Sequence, residues 1–316
     1  MRLARAILLR LLYGLLSLLF VSLVTFVADE IAPGDAVTVI AGDKASPETK
    51  ARIREKFGLN DPPVERYFRF LAGAVRLDFG DSYHGVQEPV IDIIERNLPN
   101  TVRVALMAIL LAAIVGITLG TLAAVYENRA ADRAVLTLST LGVTLPNFVL
   151  APILVYVFAI QLDVLPQNWS VNRVADDIYY LILPVVILSA RPMATLTRLT
   201  RASMVETLKQ EFIKLAIAKG VSPTRLVLQH ALRNAILPVI TAIGTSFGFL
   251  LTGSFVVERY FTMPGIGREA IEAIQQSNTP VIQACILITG VMFIGVNLLV
   301  DLLLPLLDPR IRESQV

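Results

Sequence analysis

Cysteine, histidine and charge are all scarce in this chain, and each scarcity excludes something. One residue of 316 is cysteine, Cys285, so no intrachain disulfide forms and cysteine usage points to no redox compartment. The two histidines, His84 and His230, lie in separate polar segments, which rules out a multi-histidine metal site and a Ser-His pair within an apolar span. Neither an H-E-x-x-H helix nor a G-x-x-x-x-G-K-[ST] loop occurs, so the chain has no zinc-protease centre and does not cradle ATP itself; no metal and no cofactor is implied. Charged residues make up 17% of the chain, against about 25% in soluble globular proteins. The net charge of +2 resides mainly in arginines beside apolar runs, not in the clustered basic face of a nucleic-acid binder.

What the chain does have is apolar length. It is 55% hydrophobic with a mean hydropathy of +0.66. Six stretches, 7–28, 101–125, 134–160, 178–197, 237–257 and 281–305, each reach the ~20 apolar residues a spanning helix requires. An all-α polytopic membrane protein follows, and an even number of crossings places both termini on one side. Arg2 and Arg5 precede the first span and Arg10 lies in its first turn, Arg129 and Arg133 follow the second, and Arg310 and Arg312 follow the last. The loop 198–236 adds Arg198, Arg201, Lys209, Lys214, Lys219, Arg225 and Arg233, so the positive-inside rule makes these segments cytoplasmic. The opposite short loops carry Arg173 and the pair Arg259 and Arg268. The first apolar run exceeds a signal-peptide core and no small-x-small cleavage pattern follows it, which predicts an uncleaved anchor.

The divisions expected are 1–28 (cytoplasmic tip and first span), 29–99 (external domain), 100–306 (spans two to six with the loop 198–236) and 307–316 (cytoplasmic tail). In 29–99, Ser46-Pro47-Glu48 opens a helix ending at Gly58, a second runs over 64–77, and Glu88-Pro89 opens a third short helix to Arg96. Some 70 residues with few apolar runs bury little core alone, so this segment packs on the membrane part.

The stretch 211–241 is basic, polar and helix-forming between two apolar segments, so it projects from the membrane. One short helix runs from Glu211 to Lys219 and stops at Gly220; a second starts with Ser222 as N-cap and Pro223 in the first helical position. The small residues Ala216 and Ala218 leave part of this knuckle unobstructed. On pattern alone, a docking surface and an ordinary basic loop fit equally.

Inside the spans, Gly116 and Gly120 form a small-xxx-small pair. Pro146 and Pro152 in span three, and Pro184 and Pro192 in span four, predict kinks or breaks. Arg191 within span four costs about 2.5–3.5 kcal/mol, offset either by snorkelling to the cytoplasmic surface or by facing a polar path. Span five carries Gly244, Ser246, Gly248, Thr252, Gly253 and Ser254, small and hydroxyl residues able to line such a path, and span six carries Asn297. A continuous helix from the knuckle into span five would carry a push to that lining. Neither an internal repeat nor a midplane carboxylate occurs, which argues against an ion-driven secondary carrier.

The runs AIAKGVS at 216–222 and HALRNAILP at 230–238 resemble the cytoplasmic coupling loop of bacterial ABC importer permeases, in particular the dipeptide, oligopeptide and nickel branch. APGD at 32–35, TRLTRAS at 197–203, PGIG at 264–267 and LDPR at 307–310 extend the resemblance over nearly the whole chain. Two departures stand out: Ile217 replaces the arginine common in the family, and Lys214-Leu215-Ala216 replaces the glutamate-alanine-alanine start of other branches. The resemblance implies six transmembrane helices of the type I importer permease kind with an external domain after the first. It implies a multi-pass protein of the bacterial inner membrane, with ATP hydrolysed by partner chains. The partners implied are two ATPase subunits, a second, paralogous permease and an external substrate-binding protein, with a lipid bilayer around them and no nucleic acid. It assigns ATPase coupling to Glu211, Phe212, Lys214, Ala216, Ala218, Lys219, Gly220 and Ser222, and half of a solute path to this chain, for which the residue pattern offers Arg191, Ser246, Thr252, Ser254 and Asn297. Dipeptides, oligopeptides, nickel chelates and glutathione are all cargoes of similar permeases.

Overall fold

The computed structural model describes residues 2–31, 36–42, 44–56, 58–84, 87–169 and 177–307. The APGD run, Arg173 and residues 308–310 of the LDPR run lie outside the described residues. Among the described residues the regular structure is helical, apart from an isolated antiparallel bridge between Asp81 and Pro89. By internal contacts the chain forms two units, Met1–Val102 with Thr262–Ile294, and Arg103–Phe261 with Gly295–Val316.

The first unit contains α1 (Arg2–Ile31), α2 (Ala36–Ala41), α3 (Pro47–Lys56), α4 (Pro63–Val75) and the beginning of α5 (Val90–Val125). To these it adds α14 (Ile266–Gln275) and the first half of α15 (Thr279–Leu307). Helix α3 starts as expected, with the Ser46 hydroxyl accepting the Thr49 N–H at 3.2 Å, and the chain turns at Gly58 with φ +60°. The third short helix expected to end at Arg96 is instead the opening of the 36-residue α5, which continues through Pro99. Val90, Ile93 and Ile94 of α5 are buried against Ile266 and Ala273 of α14 and Val281, Ala284 and Cys285 of α15. Asn278 fixes the same junction by donating to Ser82 Oγ at 2.8 Å and accepting the Tyr83 N–H at 3.1 Å. Two segments almost 200 residues apart thus share one core.

The second unit holds the rest of α5, then α6 (Ala130–Thr144), α7 (Asn147–Val155) with a π-helical turn at Tyr156–Gln161, and α8 (Asp177–Leu208). It continues through α9 (Glu211–Ala218), α10 (Pro223–Arg225), a π-helical turn at Leu226–Ala231, α11 (Leu232–Ala235), α12 (Leu237–Gly253) and α13 (Phe255–Tyr260) to the end of α15. Gly116 and Gly120 do serve close packing: a Cβ on Gly116 would lie 3.0 Å from both the Leu196 Cβ and the Met193 carbonyl of α8.

Four helices, within α1, α5, α8 and α15, are long and apolar enough to cross a membrane, and two bent pairs raise the number to six if each is one span. One of the six expected spans is therefore not a straight rod, and another meets a bend at its start. The third breaks between α6 and α7 with a 106° bend, because Leu145 precedes Pro146 and is driven to an extended conformation at ψ 117°. Pro152, Pro184 and Pro192 stay within helices. The chain bends by 58° between α11 and α12, just ahead of the expected fifth span, so the knuckle and the span-five lining are not one continuous helix. Pro238 lies in the first turn of α12, where its missing N–H is least disruptive.

Candidate functional site

The knuckle is built by backbone signals that are local. Gln210 is extended at φ −72°, ψ 151°, which ends the long α8 and redirects the chain into α9. At the other end the Val221 N–H bonds the Ala216 carbonyl at 3.2 Å and the Gly220 N–H bonds the Ile217 carbonyl at 2.9 Å. This paired reverse bonding is a Schellman cap, and it requires the left-handed φ of +76° that Gly220 adopts. Ser222 then takes the extended N-cap conformation and Pro223 the first helical position, although the Ser222 hydroxyl makes no capping hydrogen bond.

Its seat is apolar. Ile213 is buried in a cluster with Ala124 from the end of α5, Met204 of α8, Ala231 and Ala235. Two ion pairs hold the hairpin loop between α5 and α6 to the end of α8: Asp132, itself buried, takes both Arg201 Nε and Nη2, the latter at 2.7 Å, and Lys209 Nζ reaches Glu127 at 3.0 Å. The Asp132 carboxylate also accepts the Asn128 N–H at 2.8 Å, where the chain turns at φ +64°.

Of the coupling residues read from the sequence, Glu211, Phe212, Lys214, Ala218, Lys219, Gly220 and Ser222 are exposed together on α9 and the following turn. Ala216 is not: it is buried on the same side as Ile213, so its small size serves packing within the chain. Sequence reasoning left out Leu215 and Ile217, both 57% exposed beside Phe212 at 42%. Their signal was present. Apart from Glu211 and Lys214 the eight residues EFIKLAIA are apolar all round, a composition that calls for burial on every side, and the chain itself covers only the Ile213 and Ala216 side. The Lys214 to Glu211 contact at 2.7 Å is between exposed groups and adds little.

The candidate path residues are more dispersed. Arg191 is exposed in the middle of α8, and its guanidinium makes no hydrogen bond or ion pair to a described residue. Ser246 and Thr252 are half-buried on α12, and Asn297 is half-buried on α15. Ser254 is buried, with its hydroxyl donating to the equally buried Glu258 at 2.7 Å; it joins α12 to α13 and faces no open surface of the chain.

Comparison with known proteins gives this geometry its context. The family model described as binding-protein-dependent transport system inner membrane component matches residues 116–313, and its N-terminal companion matches residues 3–105. The dipeptide transport system permease protein DppB of Bacillus subtilis is 37% identical over 296 residues, covering 94% of each chain. A probable peptide ABC transporter permease protein, y4tP, of Sinorhizobium fredii is 39% identical over 92% of this chain and 94% of its own. The glutathione transport system permease protein GsiC of Escherichia coli K12 is 39% identical over 302 residues, 95% of this chain and 97% of its own. These relatives are transport subunits and not enzymes, ATP being hydrolysed in separate subunits of such systems. With the two family models matching residues 3–105 and 116–313, this chain belongs to the family of inner membrane components of binding-protein-dependent ABC transport systems.

Proposed function

We propose that the chain forms one half of the translocation path of an ATP-driven importer for di- or oligopeptides or solutes of similar size, and that α9 with the turn at Gly220 is the surface gripped by an ATPase subunit. The observation that carries this is the outward apolar set Phe212, Leu215 and Ile217 on a helix whose other side is already anchored by Ile213. Such a patch, rimmed by Glu211, Lys214 and Lys219, fits a protein groove. The full complement is two ATPase subunits, a second, paralogous permease and an external binding protein that delivers the solute to segment 29–99. The core is 100–306, with the loop 198–236, both termini and the tail 307–316 in the cytoplasm. The path draws on Arg191, Ser246, Thr252 and Asn297. Cargo of this size follows from the relatives, whose names specify dipeptides, peptides and glutathione.

Coupling then works by movement of a seated element. ATP-driven closure of the ATPase pair shifts α9, and its anchorage on α5, α8 and α11 passes the displacement to several spans at once, because α12 is bent away from the knuckle. Two substitutions test this in the reconstituted complex. Ala218→Trp adds bulk on the exposed face, and Gly220→Pro removes the N–H and the positive φ on which the cap depends. Each is expected to leave the subunits associated while solute uptake per ATP hydrolysed falls at least about tenfold, the effect of roughly 1.4 kcal/mol of lost coupling. Normal uptake by either assembled variant would refute the assignment.

A further inference from the structure

A cavity of about 430 Å3 opens within the first unit, where the end of α1, α4, the segment 78–83 and the first turn of α15 meet. One of its walls is Gln283, 6% exposed, whose side-chain amide has no hydrogen bond to any described residue. The residue is buried but its amide faces the cavity, where water or a polar ligand is left as its partner. Thr279 and Pro280 bring the N-terminus of the 29-residue α15 to the same wall, the positive end of its dipole.

Three arginines also border the cavity, and they are not equivalent. Arg66 is neutralised by Glu30 at 2.9 Å and Arg69 by Asp61, whereas the Arg76 guanidinium is exposed and makes no hydrogen bond or ion pair to a described residue. The exposed carboxylates Asp78 and Asp81 line the same cavity. The lining therefore offers a guanidinium, an amide and a helix N-terminus to an anion, and carboxylates to a cation. That is the pattern of a zwitterion.

The cavity also lies at a defined depth. Tyr67 of α4 shares a hydrogen bond with Ser22 at 2.9 Å, and Phe26 meets the Tyr67 ring at 5.3 Å. Ser22 lies about 9 Å, six helical residues, inside the end of the apolar span Leu8–Ala28. Helix α4 is thus held alongside the last turns of that span, at the level where headgroups meet acyl chains. It leaves Val64, Phe68 and Val75 exposed, as an interfacial amphipathic helix does.

We infer that this cavity binds the headgroup of a zwitterionic membrane phospholipid of the ethanolamine type, at the end of the first span away from the N-terminus. The phosphate meets Arg76, the Gln283 amide and the α15 N-terminus; the ammonium meets Asp78 and Asp81; the acyl chains lie along the exposed apolar faces of α1 and α4. The inference needs only the membrane setting, not the identity of the transported solute.

Native mass spectrometry of the assembled complex, titrated with phosphatidylethanolamine or phosphatidylglycerol, tests it. The wild-type complex is expected to retain phosphatidylethanolamine preferentially, and Arg76→Glu and Gln283→Leu each to reduce retention by about tenfold, as the loss of one charge-assisted hydrogen bond would. Arg76→Lys, which keeps the charge, retains the lipid. Equal retention in all chains overturns the inference. So does displacement of the lipid by inorganic phosphate, which would make the cavity a soluble-anion site, or by a zwitterionic dipeptide, which would make it a solute site. A second measurement needs no variant: phosphatidylethanolamine should raise the thermal midpoint of the wild-type complex more than the same amount of phosphatidylglycerol, and no difference between the two lipids counts equally against the site.

Discussion

Glu269 of α14 is half-buried, and that burial, followed by the neighbouring Glu272 carboxylate, pushes its pKa above the ordinary glutamate value, with Arg268 and Arg96 opposing the rise. A carboxyl whose folded-state pKa is raised favours the folded chain below its unfolded pKa, near 4.3, and that contribution is lost as pH rises through the folded value. Glu88, held low by its hydrogen bonds from Arg96, changes the balance in the opposite direction. The difference between wild type and Glu269→Gln isolates the first effect. Thermal midpoints of the complex measured from pH 4 to 7 should fall less with rising pH in the variant (about pH 4.3 upward is the window); parallel curves would show that Glu269 titrates as it does in the unfolded chain. Arg191 poses a different question at the same scale. Its guanidinium is exposed mid-helix and meets no described partner, so in the membrane it needs water, a lipid phosphate or another chain. If it faces the path, Arg191→Gln changes uptake rate or apparent solute affinity in an assembled complex by about tenfold, the order of a lost charged contact. Unchanged transport removes it from the path.

Between elements, α5 and α8 approach closely enough that stability depends on it. A side chain on Gly120 would run into the Thr197 carbonyl and the Thr200 Cβ, while nothing lies within 4 Å of a Cβ at Gly295. Gly120→Leu must therefore push two helices apart, at about 1–3 kcal/mol or more. Heating the detergent-solubilised complex and following its size-exclusion peak should show a clear loss of midpoint for Gly120→Leu and little for Gly295→Ala; equal midpoints would mean that α5 and α8 do not pack in this way. That small pair was visible in the sequence, as were the caps at Ser46 and Gly220, because such signals act within a few residues. The proline effects were only half visible. Pro146 is exposed and breaks its span, whereas Pro184 and Pro192 are buried among neighbouring helices that hold α8 straight enough to continue. No local pattern distinguishes these cases. Nor does one reveal that Ala216 turns inward, or that residues 78–94 share a core with 266–285, since both are decided by partners far along the chain.

For the whole molecule the decisive quantity is direction, and the charge pattern carries a prediction of it. Arg129 and Arg133 beside the α5 to α6 hairpin, and the cations of α9 and its flanks, belong to short connections, where the positive-inside rule acts most strongly. Segment 29–99 has lysines and arginines too, but as a long segment it is exempt. If the hairpin is cytoplasmic, the knuckle lies on the side where ATP is available. Single cysteines settle the matter, because native Cys285 is buried and contributes little background. Glu48→Cys sits on exposed α3 and Arg129→Cys on the exposed hairpin loop. In intact spheroplasts a membrane-impermeant maleimide should label Glu48→Cys and spare Arg129→Cys, and permeabilisation should make both reactive. The reverse pattern would invert the chain in the membrane. It would put the α9 surface out of reach of any ATPase, and the coupling assignment would fall with it.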